Sequence, residues 1–140
     1  MLQGYDCAGE VVKHSILVVE DNLGVASPMA EYLERNGFEV RVAQSAAEAK
    51  TMIGGKNFSL VITDLRMETG KDEDGLEFVR HLRRVKPGLP VFILTASGSA
   101  DTATEGVRLL VQKFLGKPIS MPHLLKTVRT FLDDFYGAAN

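Results

Sequence analysis

The chain has 140 residues, 45% of them hydrophobic and 24% charged, which suits one globular domain and excludes both a disordered chain and two separate cores. A net charge of −2 supplies no basic field for a phosphate backbone, so direct nucleic-acid binding is disfavoured. A single cysteine, Cys7, and three scattered histidines give no internal disulfide and no metal-binding spacing; short apolar runs and a charged N-terminus give no membrane span or signal peptide, so the expected compartment is the cytoplasm.

Five runs of β-branched and aliphatic residues alternate with stretches of helical period, the pattern of a parallel sheet with helices on both faces. Residues 1–13 show no clear period and read as an N-terminal extension, 14–136 as the domain and 137–140 as a frayed tail. The first strand is expected at 16–19. Glu20-Asp21-Asn22 follows, and Val25, Met29, Tyr32 and Leu33 then share one helical face until Asn36-Gly37 stops the helix. Pro28 requires that this helix either begin near Ser27 or bend there, because an internal proline removes a donor and crowds the carbonyl four residues back.

The second strand is expected at 38–42, and Ser45 with Glu48 forms a capping box in which each satisfies the other's backbone donor. Gly54-Gly55-Lys56 stops the helix that follows. The third strand, 60–63, ends in Asp64, and a long polar loop precedes a helix marked by Leu76, Val79 and Leu82. The fourth, 91–94, ends in Thr95-Ala96-Ser97-Gly98 and leads into a weak helix carrying Ala100, Ala103, Val107 and Leu110. The fifth, 111–115, ends in Gly116-Lys117-Pro118, and Ser120 caps a last helix with Pro122 in its first turn.

In a parallel sheet with right-handed crossovers all carboxyl ends lie on one edge, where ligands bind. That edge should gather Glu20, Asp21, Asp64, Thr95 and Lys117. Three carboxylates so placed repel one another unless a cation is present, and an all-oxygen donor set suits magnesium. Such a pocket is equipped to receive a phosphoryl group on a carboxylate: Asp64 as nucleophile, Lys117 as fixed positive charge and the Thr95 hydroxyl as hydrogen-bond donor.

These strand-end residues resemble those of the receiver domains of two-component response regulators, the chemotaxis-regulator type among them. Glu20-Asp21 is similar to the family's acidic pair, Asp64-Leu65-Arg66-Met67 to its phosphoacceptor strand end, Thr95-Ala96 to its hydroxyl and small residue, and Lys117-Pro118 to its lysine before a proline that is usually cis. The resemblance covers about residues 14–136. It implies a flavodoxin-like, doubly wound, five-stranded α/β fold of strand order 2-1-3-4-5. It further implies that Asp64 takes a phosphoryl group from a histidine kinase or histidine phosphotransfer protein. Mg2+ would be held by Asp21, Asp64 and the main-chain carbonyl of Arg66, with Glu20 acting through water. Thr95 and the aromatic Phe114 would form the switch. On this reading the chain is a phosphoacceptor and not an enzyme acting on a separate substrate, and its output is a contact with an unknown downstream protein, a phosphorylation-dependent homodimer being one form of it. An origin in a larger regulator or hybrid kinase is an alternative.

Three features depart from the family pattern. Glu68 stands where a proline is usual, and the matching glycine is Gly75, which implies three inserted residues and a long acidic loop over 68–74, read as a surface insertion in preference to a cover for the site or a partner-selecting element. Leu110-Val111 replaces a usual Gly-Ala, and Phe114 a frequent tyrosine. His14, His81 and His123 read as solvated histidines, Arg80, Arg83, Arg84 and Lys86 as a solvated basic face, and Arg66 and Ser97 as neighbours of the site. A flavin-binding electron carrier of the same strand order would need a phosphate loop after the first strand, where Glu20-Asp21-Asn22 repels the FMN phosphate. An aspartyl hydrolase would need a second aspartate where Arg66 stands.

Overall fold

The computed structural model describes residues 4–5, 11–96 and 100–137; Cys7, Ser97 and all but Gly137 of the tail expected at 137–140 lie outside them. Strands β1 (Ser15–Val19), β2 (Glu39–Ala43), β3 (Leu60–Asp64), β4 (Val91–Thr95) and β5 (Lys113–Gly116) pair in parallel in the order β2-β1-β3-β4-β5, the 2-1-3-4-5 arrangement expected from the resemblance. Helices α1 (Leu23–Arg35), α2 (Ala46–Gly55), α3 (Glu73–Val85) and α4 (Ala100–Arg108) fill the four crossovers, and α5 (Met121–Tyr136) follows β5.

The inner strands are apolar throughout because both faces are covered, and alternate residues serve two cores. Ile16, Val18, Ile62, Phe92 and Leu94 pack with Met29 and Leu33 of α1 and Leu124, Val128 and Leu132 of α5. On the other face Leu17, Val19, Val61 and Ile93 meet Ala49 and Ile53 of α2 and Leu76, Val79 and Leu82 of α3. The Phe92 and Phe131 rings meet edge to face at 5.1 Å across the α5 side.

Several boundaries differ from the sequence expectation. Helix α1 begins at Leu23, four residues before Ser27, and carries Pro28 inside it; Asn22 makes this possible by accepting from the Gly24 N–H at 2.9 Å, which secures the first turn ahead of the proline. Ser45 does cap α2, but the Glu48 carboxylate accepts from the Gln44 N–H at 2.6 Å, one residue earlier than the usual box. Helix α3 starts at Glu73, inside the loop expected to run to Leu76. Strand β5 starts at Lys113, since Leu110 takes a left-handed conformation (φ 58°) and the Val111 N–H donates back to the Gly106 carbonyl at 2.9 Å, leaving Leu110 and Val111 in a helix-ending turn. Ahead of the domain, Gly4–Tyr5 pairs antiparallel with Val11–Val12, order that a sequence without clear period does not signal.

Candidate functional site

The site lies at the carboxyl edge of β1, β3 and β5. Glu20 prolongs β1 by donating its N–H to the Ala43 carbonyl at 2.9 Å, which points the next residues into the switch between β1 and β3. Its carboxylate is buried, yet both oxygens are used: Oε1 accepts from Lys117 Nζ at 2.8 Å and Oε2 from the Asn22 N–H at 3.2 Å. Asp64 ends β3 with 7% of its surface exposed, and its Oδ1 lies 3.1 Å from Lys117 Nζ. Asp21 keeps its access to solvent. One carboxylate oxygen from each of Glu20, Asp21 and Asp64 falls within 4.8 Å of the others.

Lys117 reaches this cluster from the turn after β5. Its N–H donates to the Thr95 carbonyl at 2.8 Å, tying the ends of β4 and β5 together, and its peptide bond to Pro118 is cis, as the resemblance implies. Thr95 closes β4 in register with Gly116, one residue beyond Leu94, which pairs with Asp64. A cavity of about 370 Å3 with an almost wholly apolar wall, including Val25, Met29, Leu94 and Ile119, adjoins Lys117.

The electrostatics follow from this crowding. Desolvation, a hydrogen bond with Glu20 and the charge of Glu20, in that order, push the Asp21 carboxyl above the ordinary aspartate range. For Lys117, burial opposes the charge, but hydrogen bonds and attraction to Glu20 and Asp64 outweigh it and hold the ammonium above the ordinary lysine value. Three carboxylates and one ammonium leave two negative charges that a single divalent cation would neutralise. The hard, all-oxygen donor set therefore fits such an ion.

Gly75 brings α3 against the end of β3. A Cβ at this position would lie 2.8 Å from both the Cα and the carbonyl oxygen of Leu65 and 2.9 Å from the Asp64 carbonyl oxygen, so only glycine allows the approach, and its N–H donates to the Leu65 carbonyl at 2.8 Å. Glycine spacing carried the sequence signal; the contact itself needed the fold. Phe114 lies apart from the acidic cluster, 37% exposed, with its ring across Gly106 of α4.

Two expectations are corrected. The basic face of α3 is not uniformly solvated: Arg83 is half-buried, its Nε donating to the Leu109 carbonyl at 2.6 Å and its Nη1 to the Leu89 carbonyl at 2.7 Å, so it binds the end of α4 to the turn before β4. His14 is likewise half-buried, its Nδ1 3.0 Å from Ser59 Oγ and its ring against Tyr136, and burial lowers its pKa. Helical period cannot separate such an arginine from its solvated neighbours, because its carbonyl partners come from distant turns.

Fold, strand-end chemistry and sequence agree: residues 16–129 match the response regulator receiver domain, and the chain belongs to that family. Among its relatives, the transcriptional regulatory protein GlrR of Escherichia coli (strain K12) is 33% identical over 118 residues, covering 84% of this chain and 26% of GlrR. The chain thus spans about a quarter of that relative's length. A receiver domain protein from Methanospirillum hungatei, described as CheY-like, superposes with a TM-score of 0.82 at 23% identity, covering 89% of this chain and 98% of that one. A Burkholderia pseudomallei response regulator, whose structure carries a phosphorylated aspartic acid and a calcium ion, does so with a TM-score of 0.75 at 27% identity, covering 89% and 71% of the two chains.

Proposed function

We propose that the chain is a phosphoacceptor in which Asp64 takes a phosphoryl group from the phosphohistidine of a histidine kinase or histidine phosphotransfer protein. The observation that carries this reading is the convergence of Glu20, Asp21 and Asp64 at a buried strand end, bridged by Lys117. An Asp64 carboxylate oxygen attacks phosphorus, the P–N bond to the donor imidazole breaks, and the electron pair leaves with the nitrogen, giving a neutral imidazole because the second ring nitrogen keeps its proton. Asp21, Asp64 and the main-chain carbonyl of Arg66 would hold Mg2+, with Glu20 acting through water. When bound, the ion offsets the charge that gathers on the phosphoryl oxygens.

Lys117, already ion-paired with Asp64, supplies a fixed cation for the incoming phosphoryl group, and the Thr95 hydroxyl donates to one of its oxygens. Thr95 and Phe114 form the switch. An acyl phosphate carries roughly two negative charges where the free carboxylate carried one, and the added contacts favour one of two packings of α4 and β5. The receiver unit is residues 14–136, and the output is a contact with a downstream protein. Cytoplasmic placement belongs to this reading; no helix among the described residues is long and apolar enough to cross a membrane. The acidic cluster disfavours the FMN alternative, since it repels the cofactor's phosphate.

The test is incubation with Mg2+ and acetyl phosphate, read by intact mass. The expected product is one phosphoryl adduct, absent in Asp64→Asn, absent after chelation and strongly reduced in Lys117→Met. A folded protein that gains no adduct with either acetyl phosphate or phosphoramidate refutes the assignment.

A further inference from the structure

The acidic segment after Asp64 is tied into the fold at both ends. Asp72 Oδ1 accepts from Arg66 Nε at 2.7 Å, and Oδ2 accepts from the Thr102 hydroxyl at 2.6 Å. Arg66 stands two residues past Asp64, whereas Thr102 is a buried polar group on α4, 4% exposed. The neighbouring Glu73 pairs with Arg80 of α3, whose Nε donates to Glu105 of α4 at 3.2 Å. Thr102 and Glu105 are three residues apart and so share one face of α4, which two consecutive acidic residues hold, one directly and one through Arg80.

The same helix carries the seat of Phe114. A Cβ at Gly106 would lie 2.3 Å from the ring's Cζ and 2.4 Å from a Cε, so the ring occupies space that only glycine leaves. Where α4 sits therefore decides where Phe114 can rest. Asp74 keeps the segment in shape: its carboxylate accepts from the N–H groups of Met67 at 2.9 Å and Thr69 at 3.1 Å and from the Thr69 hydroxyl at 2.6 Å. The segment lies at the surface, as its sequence suggests, and side-chain hydrogen bonds give it a defined shape.

We infer that residues 68–74 are a clasp joining the phosphoacceptor loop to α4, with Asp72 as the positioning residue that transmits a change at Asp64 to the helix beneath Phe114. A displacement of the loop after Asp64 carries Arg66 with it, and a single carboxylate shared between Arg66 and Thr102 passes the displacement on. Without that carboxylate only the indirect link through Glu73, Arg80 and Glu105 remains. The inference rests on the phosphoacceptor reading for its signalling role, while the mechanical coupling stands apart from it.

The experiment is amide hydrogen exchange on the full chain, resolved by peptide, for the native protein, Asp72→Asn and Thr102→Val, with and without Mg2+ and acetyl phosphate, adduct formation being read on the same samples by mass. Before phosphorylation, both variants should exchange α4 amides about tenfold faster or more, the equivalent of one lost charge-assisted hydrogen bond, with α5 unchanged. Unchanged α4 exchange in both variants, or acceleration spread equally over α5, overturns the clasp. After phosphorylation, α4 exchange should change in the native protein and by at least about fivefold less in Asp72→Asn, a difference that a purely structural role for Asp72 would leave untouched. No α4 response in the labelled native protein, or an equal one in Asp72→Asn, overturns the transmission role. A native protein that takes no phosphoryl group fails the phosphoacceptor reading instead, and the unphosphorylated comparison still decides the clasp.

Discussion

Replacing Gly75 with alanine sets two effects of opposite sign against each other. Helix propensity favours alanine over glycine by about 0.5–1 kcal/mol, more weakly in a first turn, so a view of α3 as an isolated helix predicts stabilisation. The structure predicts the reverse. The new methyl would stand 2.8–2.9 Å from three backbone atoms of Asp64 and Leu65, none of which a side-chain rotation can remove. Overpacking of this kind costs about 1–3 kcal/mol. Displacing α3 also weakens the 2.8 Å hydrogen bond from the Gly75 N–H to the Leu65 carbonyl, for about 1 kcal/mol more. The net expectation is a destabilisation of about 2–3 kcal/mol, or roughly 6–10 °C in Tm for a chain of this size.

Gly54 in α2 is the matched control, since a Cβ there meets nothing within 4 Å. Gly54→Ala should be neutral or stabilising by up to about 1 kcal/mol. Urea denaturation followed by far-UV circular dichroism reads both, as the chain has no tryptophan. The same Gly75→Ala protein should take up phosphoryl from acetyl phosphate more slowly, because the helix bears on the backbone of Asp64 itself. Equal or greater stability than the native protein would show that α3 does not approach β3 this closely, and the description of the site's floor would fail.

Arg83→Ala should lower stability by about 2–4 kcal/mol in the same denaturation assay, since it leaves the carbonyls of Leu89 and Leu109 without their guanidinium donor, and Arg83→Lys should restore little of it because an ammonium cannot span both. For Asp74, burial works against ionisation, but the Thr69 hydroxyl and the N–H groups of Met67, Thr69 and Lys71 outweigh it and hold the carboxyl below the ordinary aspartate range. A depressed folded-state pKa means the stabilisation is complete above the unfolded value, near 3.9, and is lost as pH falls through the folded one. The stability gap between the native protein and Asp74→Asn should therefore be constant from about pH 5.5 upward and shrink toward pH 3; a gap that is flat or widens with acid would contradict the hydrogen bonding described.

The alternation of apolar runs and helical periods determined the fold class, because a strand covered on both faces has to be apolar throughout and few other architectures ask for that. It also placed Glu20, Asp21, Asp64, Thr95 and Lys117 at strand ends, and right-handed crossovers put strand ends on one edge, so the gathering of charge followed from topology alone. What sequence could not supply was any interaction between side chains far apart in the chain. Arg83 looked like its solvated neighbours until the end of α4 came within its reach. The acidic loop read as a surface insertion, and nothing in its sequence signalled that Asp72 would meet Thr102, 30 residues on. Leu110 gave no sign that it would take a left-handed turn and delay β5 by two residues, since only the closing of α4 against its neighbours sets that angle. Periodicity reports how much of a residue is buried; the tertiary structure alone decides which polar partner waits there.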